Sequence, residues 1–215
     1  MTKLIQRVCD MLTAKTNGGK TISLSGAWNQ DNIKELKKET FYCPVCGSPV
    51  ILKLGSSRRW HFAHQSEANC GQSEPESDYH LEGKRKLFAW IKKQNYPVLL
   101  EPFFPDLKQR PDLYISSPHH IPIEFQCATI SDQRFLQRTK GYVGSTSDPV
   151  WILGGNRLNR TGSLQFRVRQ MDWLALRESE DPSFSPYLIY FCPLTDRFAC
   201  LSNIVPYSKM QFFAN

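Results

Sequence analysis

No apolar run in this sequence approaches the ~20 residues that a membrane span requires; the longest, such as Val98-Leu99-Leu100 and residues 188–192, have the length of strands. The first ten residues carry Lys3, Arg7 and Asp10 and no continuous apolar block, so neither a secretory signal nor a membrane anchor is expected there. A soluble cytoplasmic protein with no membrane partner is the expectation. Internal repeats and low-complexity tracts are also missing, which sets aside solenoids and disordered linkers. A secreted disulfide framework is disfavoured too, because the seven cysteines are odd in number and unevenly placed; metal binding in a reducing compartment suits them better. Acid is absent from residues 149–171, where Arg157, Arg160, Arg167 and Arg169 all occur. That stretch reads as a phosphate-tracking surface or as an ordinary solvated face. What the chain does have is 215 residues with 40% hydrophobic content, enough for one good core and a small appended module. Its net charge of +7 favours polyanionic partners through counterion release.

Residues 4–14 and 20–24 read as two strands around the turn signal Asn17-Gly18-Gly19, and residues 29–38 as a short amphipathic helix capped by Asn29. Polar residues 71–77, with Pro75, form a natural linker, so the chain divides into an N-terminal part with a metal-held module (1–72) and a larger domain (73–215). The larger part opens with a helix over 76–94. Strands over 97–104, 110–115 and 121–128, a helix over 132–142 and a strand over 150–154 follow, which is the pattern of an α/β core. A further helix is expected over 163–177, and a closing hairpin pairs 187–192 with 198–202 around Thr195-Asp196.

The first chemical constellation is Cys43-Pro44-Val45-Cys46-Gly47 with His61, His64 and Cys70 downstream. A Cys-x-x-Cys knuckle ending in Gly lets backbone amides approach the thiolates, and a tetrahedral Zn²⁺ then needs two more soft or imidazole ligands. His64 and Cys70, separated by five residues, best supply them, with His61 as the substitute. A redox Cys-x-x-Cys would usually begin a helix, whereas this one sits between Tyr42 and the apolar run Val50-Ile51-Leu52, as in a zinc ribbon. The expected role of the zinc is structural.

The second constellation is Arg110-Pro111-Asp112, then Ile123-Glu124-Phe125-Gln126. If the two runs pair antiparallel about a turn centred on Pro118, opposed residues have numbers summing to 236, which sets Asp112 beside Glu124. Facing carboxylates destabilise a sheet unless a cation lies between them, so the pair reads as a Mg²⁺ or Mn²⁺ site, with Gln126 on the same face. Such a site performs phosphodiester hydrolysis. The bland alternative is a surface hairpin with acids on its wet side. In the preceding helix, Glu76, His80, Lys84, Leu87 and Ile91 share one stripe whose apolar half packs inward, aiming His80 and Lys84 inward as well. Glu101, on the first strand of the core, is a further candidate for the metal. Glu76 has a competing explanation in the capping box Ser73-x-x-Glu76. Arg134, Arg138 and Tyr142 recur every four residues and, with Arg110, are candidates to grip a DNA backbone or stack on it.

Taken in order, Phe41-Tyr42-Cys43-Pro44-x-Cys46, Trp60-His61-Phe62-x-His64, Glu76-Ser77-x-x-His80-x-x-x-Lys84, Arg110-Pro111-Asp112 and Ile123-Glu124-Phe125-Gln126 resemble the competence protein CoiA family. The resemblance implies a restriction-endonuclease-like core, a mixed sheet flanked by helices, behind an N-terminal zinc-ribbon-like module. It also implies the superfamily's Pro-Asp…(Asp/Glu)-x-Lys site, with Asp112 and Glu124 matching directly. Gln126 stands where a lysine would assist the attacking water, a departure the competence family shares; Lys84 is the candidate to restore that charge. A cytoplasmic, metal-dependent deoxyribonuclease acting in transformation and recombination is the implied activity, on DNA that is single-stranded or branched and alongside recombination proteins. A catalytically silent DNA-binding accessory of the same fold, or a zinc-dependent adaptor, are the rivals. Relatives are expected to extend beyond Asn215.

Overall fold

The computed structural model describes residues 10–26, 28, 30–65, 70, 76–144, 146, 148–178, 181 and 183–215. The chain folds as two compact units, Met1–Pro111 and Asp112–Asn215. Residues 4–9 of the first expected strand, the Asn29 cap and the Gly71-to-Pro75 part of the linker, with Ser73, lie outside the described residues.

The first unit is built from β1 (Asp10–Met11), β2 (Thr13–Thr16), β3 (Thr21–Ser23), α1 (Gln30–Leu36), β4 (Phe41–Tyr42), β5 (Pro49–Lys53), β6 (His61–His64), α2 (Asp78–Lys93) and β7 (Val98–Leu100). Six of its strands form one antiparallel sheet in the order β1-β6-β5-β4-β2-β3. The β2–β3 hairpin turns at the expected Asn17-Gly18-Gly19, where Gly19 takes a φ of +78° that a side chain would strain. Ser77 caps helix α2: its hydroxyl accepts the His80 N–H at 3.2 Å. Its buried face is Leu81, Gly83, Lys84, Leu87 and Ile91, the inward stripe that the 3.6-residue period predicts. Each fully buried leucine there contributes about 1.5–3 kcal/mol.

The second unit contains β8 (Leu113–Ile115), β9 (Ile121–Gln126), α3 (Asp132–Lys140), β10 (Val150–Gly154), β11 (Asn159–Arg160), β12 (Gln165–Arg167), α4 (Gln170–Leu174), β13 (Leu188–Cys192), β14 (Arg197–Leu201), β15 (Val205–Ser208) and β16 (Gln211–Phe213). Five strands run in the order β14-β13-β10-β9-β8. The inner pairs β9–β10 and β10–β13 are parallel, and the outer pairs β8–β9 and β13–β14 antiparallel, so the sheet is mixed. Parallel neighbours need a crossover, and α3 supplies the one between β9 and β10. Ser131 caps α3 by accepting from the Arg134 N–H, and the helix seats Phe135 in the core, stacked on Trp151 at 3.9 Å between ring centroids. That core also holds Leu153, Phe166, Met171, Leu188, Tyr190 and Phe212. The closing hairpin turns at Asp196, whose φ is +56°.

One expected element differs. Residues 163–177 are not one helix but β12 followed by the short α4. Phe166 and Val168 are buried with Arg167 exposed between them, a two-residue alternation, and β12 pairs with β16 in a small antiparallel sheet of order β11-β12-β16-β15. A short window of alternating apolar residues fits either period, and the partner strand decided. Among the described residues no helix is long and apolar enough to cross a membrane.

Candidate metal centre and acidic site

Four ligand atoms from Cys43, Cys46, His64 and Cys70 lie within 4.8 Å of one another. The turn between β4 and β5 makes this possible. The Cys43 N–H donates to the Ser48 carbonyl at 2.9 Å and the Gly47 N–H returns to the Cys43 carbonyl at 3.0 Å, with Gly47 at a φ of +70°. That loop directs the Val45 N–H at the Cys43 sulfur, 3.4 Å away. The Cys43 and Cys70 sulfurs stand 4.0 Å apart, and Cys46 Sγ is 3.3 Å from His64 Nε2. The hydrogen bond with the Cys70 thiol, then burial, push the Cys43 thiol well above its ordinary pKa, and a coordinated divalent cation would override both by taking the thiolate as its ligand. Three thiols and one imidazole in such a cluster fit a closed structural Zn²⁺ site.

The choice between the two histidines follows from strand geometry. His61 and His64 are three apart on β6 and so face opposite sides of the sheet. His64 faces the cysteines. His61 donates from Nδ1 to the Arg59 carbonyl at 2.7 Å, and its Nε2 lies 3.5 Å from Asp10.

A second charged cluster in the first unit surrounds Lys84. Its ammonium is fully buried, 2.5 Å from Glu76 and in direct contact with Glu101. Glu101 also accepts from the Leu12 N–H at 2.9 Å, the Thr13 N–H at 3.0 Å and the Thr13 hydroxyl at 2.9 Å, with Arg110 at 4.0 Å. Burial opposes the charge on Glu101, but the Lys84 and Arg110 cations outweigh it and hold the carboxyl below its ordinary value. Glu101, Lys84, Arg110 and Glu76, which sequence reasoning distributed among catalysis, DNA contact and a cap, therefore meet as one ion-paired knot. His80 sits in the first turn of α2, half-buried.

The acidic pair belongs to the second unit. Strands β8 and β9 pair Leu113 with Ile123, Tyr114 with Pro122 and Ile115 with Ile121, each summing to 236. Continuing that register by one residue sets Asp112 across from Glu124. The Asp112 carboxylate accepts the Phe125 N–H at 2.8 Å, tying the residue before β8 to the middle of β9. Glu124 is wholly buried; Tyr142 donates to its Oε1 at 2.7 Å and Arg138 to its Oε2. Burial, then the Glu124 charge, raise the Tyr142 phenol far above its ordinary pKa, so it stays protonated and donating. The guanidinium of Arg138 also lies 5.6 Å from the Trp151 ring centroid.

Arg138 and Tyr142 share a side, as their spacing of four predicts, but that side turns inward onto Glu124. Tyr142 lies just past α3 with no exposed surface, and a base cannot stack on it there. Arg134 is half-buried on α3. Gln126 donates from Nε2 to the Ala128 carbonyl at 2.8 Å. In the acid-free stretch, Arg157 turns inward, 2.5 Å from the buried Asp172, while Arg160, Arg167 and Arg169 are exposed. The link from Arg138 to Glu124 had no local signal in the sequence, because the partners lie 14 positions apart on different elements.

Comparison with known proteins bears on both regions. Residues 25–73 match the family model for the competence protein CoiA N-terminal domain, and residues 76–215 the one for the competence protein CoiA nuclease-like domain. The competence protein CoiA of Bacillus subtilis (strain 168) is 40% identical over 178 residues, which are 81% of this chain and 46% of that protein. The chain thus spans about half the length of that curated relative. No solved structure matches. With the cysteine cluster inside one matched domain, the acidic pair inside the other and that identity across most of its length, this chain belongs to the competence protein CoiA family.

Proposed function

We propose that this chain is a Mg²⁺- or Mn²⁺-dependent deoxyribonuclease with a restriction-endonuclease-like core, acting on cytoplasmic DNA during genetic transformation and recombination. The observation that carries the reading is the β8–β9 register, which sets Asp112 across from Glu124 in the family's nuclease-like domain. Both would hold the metal. Their donors are all oxygen, the set a hard cation takes. When bound, the ion supplies an acidified water and a counter-charge for the scissile phosphate. The chain's own groups hold the carboxylates in place: the Phe125 N–H on Asp112, and Tyr142 and Arg138 on Glu124. Zinc at Cys43, Cys46, His64 and Cys70 would hold the ribbon together without entering the chemistry.

The basic surplus and the exposed Arg160, Arg167 and Arg169 support DNA as the partner. A second reading, a catalytically silent DNA-binding accessory that works with recombination proteins, is favoured by Gln126, whose amide is bonded to the Ala128 carbonyl where the superfamily has a lysine. Cleavage of labelled single-stranded, duplex and branched DNA with Mg²⁺ or Mn²⁺ separates the two. The nuclease reading expects cutting by the wild type and a loss of at least about a thousandfold in Asp112→Ala. Salt-sensitive binding with no cutting by either protein would leave the accessory standing.

A further inference from the structure

We infer that Arg138 is the resident cation of the Asp112–Glu124 site, delivering from α3 the positive charge that position 126 lacks. The inference rests on the reading of that pair as a metal and phosphate site. A nuclease site of two carboxylates needs a fixed cation besides the metal, to meet the charge that grows on the phosphate oxygens. Position 126 does not provide one: it is glutamine, and its amide donates to the Ala128 carbonyl at 2.8 Å.

Arg138 meets the requirement. It donates directly to Glu124 Oε2, while the Tyr142 hydroxyl holds Oε1. Its guanidinium lies over Trp151, and that ring is fixed in turn by its stack with Phe135 and by donation from Nε1 to Thr139 Oγ1 at 3.1 Å. The side chain keeps 18% of its surface in solvent, unlike the sealed Lys84. A guanidinium has five N–H donors in a rigid fork, a geometry that suits both carboxylate and phosphate oxygens. Arg138 and a divalent ion are also rivals for the same carboxylate, which makes the arginine's position measurable by metal affinity alone.

The test uses the whole zinc-loaded chain, titrated with Mn²⁺ by electron paramagnetic resonance and assayed on labelled DNA. In Arg138→Met, Mn²⁺ is expected to bind on the order of tenfold more tightly, because a competing unit charge beside Glu124 has gone. Cleavage is expected to fall on the order of a hundredfold, as when one fixed charge-stabilising donor is lost. Adding Gln126→Lys to that variant should return both values towards wild type, which repair of mere packing would not do, and Arg138→Lys should keep the Mn²⁺ affinity near wild type. Unchanged Mn²⁺ affinity in Arg138→Met, or a loss that neither lysine recovers, overturns the arginine's role alone. Mn²⁺ binding indifferent to both Asp112→Asn and Glu124→Gln removes the site, and the inference with it.

Discussion

Each unit buries a glutamate against a cation, and the two pairs are built differently. In the first unit Glu101 accepts from two backbone amides, a hydroxyl and a lysine with no exposed surface, and a second acid closes on that lysine. In the second, Glu124 takes two side-chain donors, one of them the partly exposed Arg138, and stands across from Asp112. Backbone donors cannot withdraw without unfolding the chain, whereas a side-chain donor can rotate away. The Glu101 charge is thus tied to the backbone at Leu12 and Thr13.

The largest effect that would sharpen this contrast is removal of the zinc proposed for Cys43, Cys46, His64 and Cys70. Chelation, or Cys43→Ser, should remove roughly 10 kcal/mol of folding free energy from the first unit. Loss of its β-sheet circular dichroism on chelation, restored by adding Zn²⁺ back, checks the expectation. Next comes Lys84→Met, which strands Glu101 and Glu76 without their shared cation and should cost about 3–5 kcal/mol in urea unfolding. Arg138→Met should cost less, about 1–3 kcal/mol, because one charged hydrogen bond is lost and Tyr142 remains. Equal costs for the two would break the comparison.

A smaller effect depends on pH. The folded-state pKa of Glu101 lies below its ordinary 4.5, so its contribution to stability is fully present above that value and is lost as pH falls through the folded value. The difference in urea midpoint between wild type and Glu101→Gln should therefore be constant from neutrality to about pH 5 and shrink at more acid pH. A difference that instead grew on acidification would mean the ion pair had been misassigned. The smallest effect is that of His61→Ala on metal content. One zinc per chain should remain, whereas His64→Ala should lose it, as counted by a colorimetric zinc titration.

Local spacing carried a good deal of this. The Cys-x-x-Cys turn and its downstream candidates were readable because two ligands lie on one turn; between His61 and His64 the spacing left the choice open, and the strand β6 decided it. The register of β8 and β9 followed from two short apolar runs around Pro118, since once the turn is placed the sum of 236 allows no other opposition. The crossover through α3 and the hairpin at Asp196 followed in the same way from period and turn residues. Residues 163–177 misled because Phe166, Val168 and Met171 satisfy a helical face as well as a strand one, and only pairing with β16 separates them.

By itself, then, the sequence determined what adjacent residues settle among themselves: the knuckle, the turns, the buried stripe of α2, and the opposition of Asp112 to Glu124. Tertiary structure alone decided which acid meets which cation. Glu101, just past β7, reaches the Leu12 amide across 89 positions, and Glu124 on β9 reaches Arg138 on α3 across 14. Such pairings carry no period and no spacing rule. They exist only once burial has removed water as the competing partner, and that is a property of the folded chain.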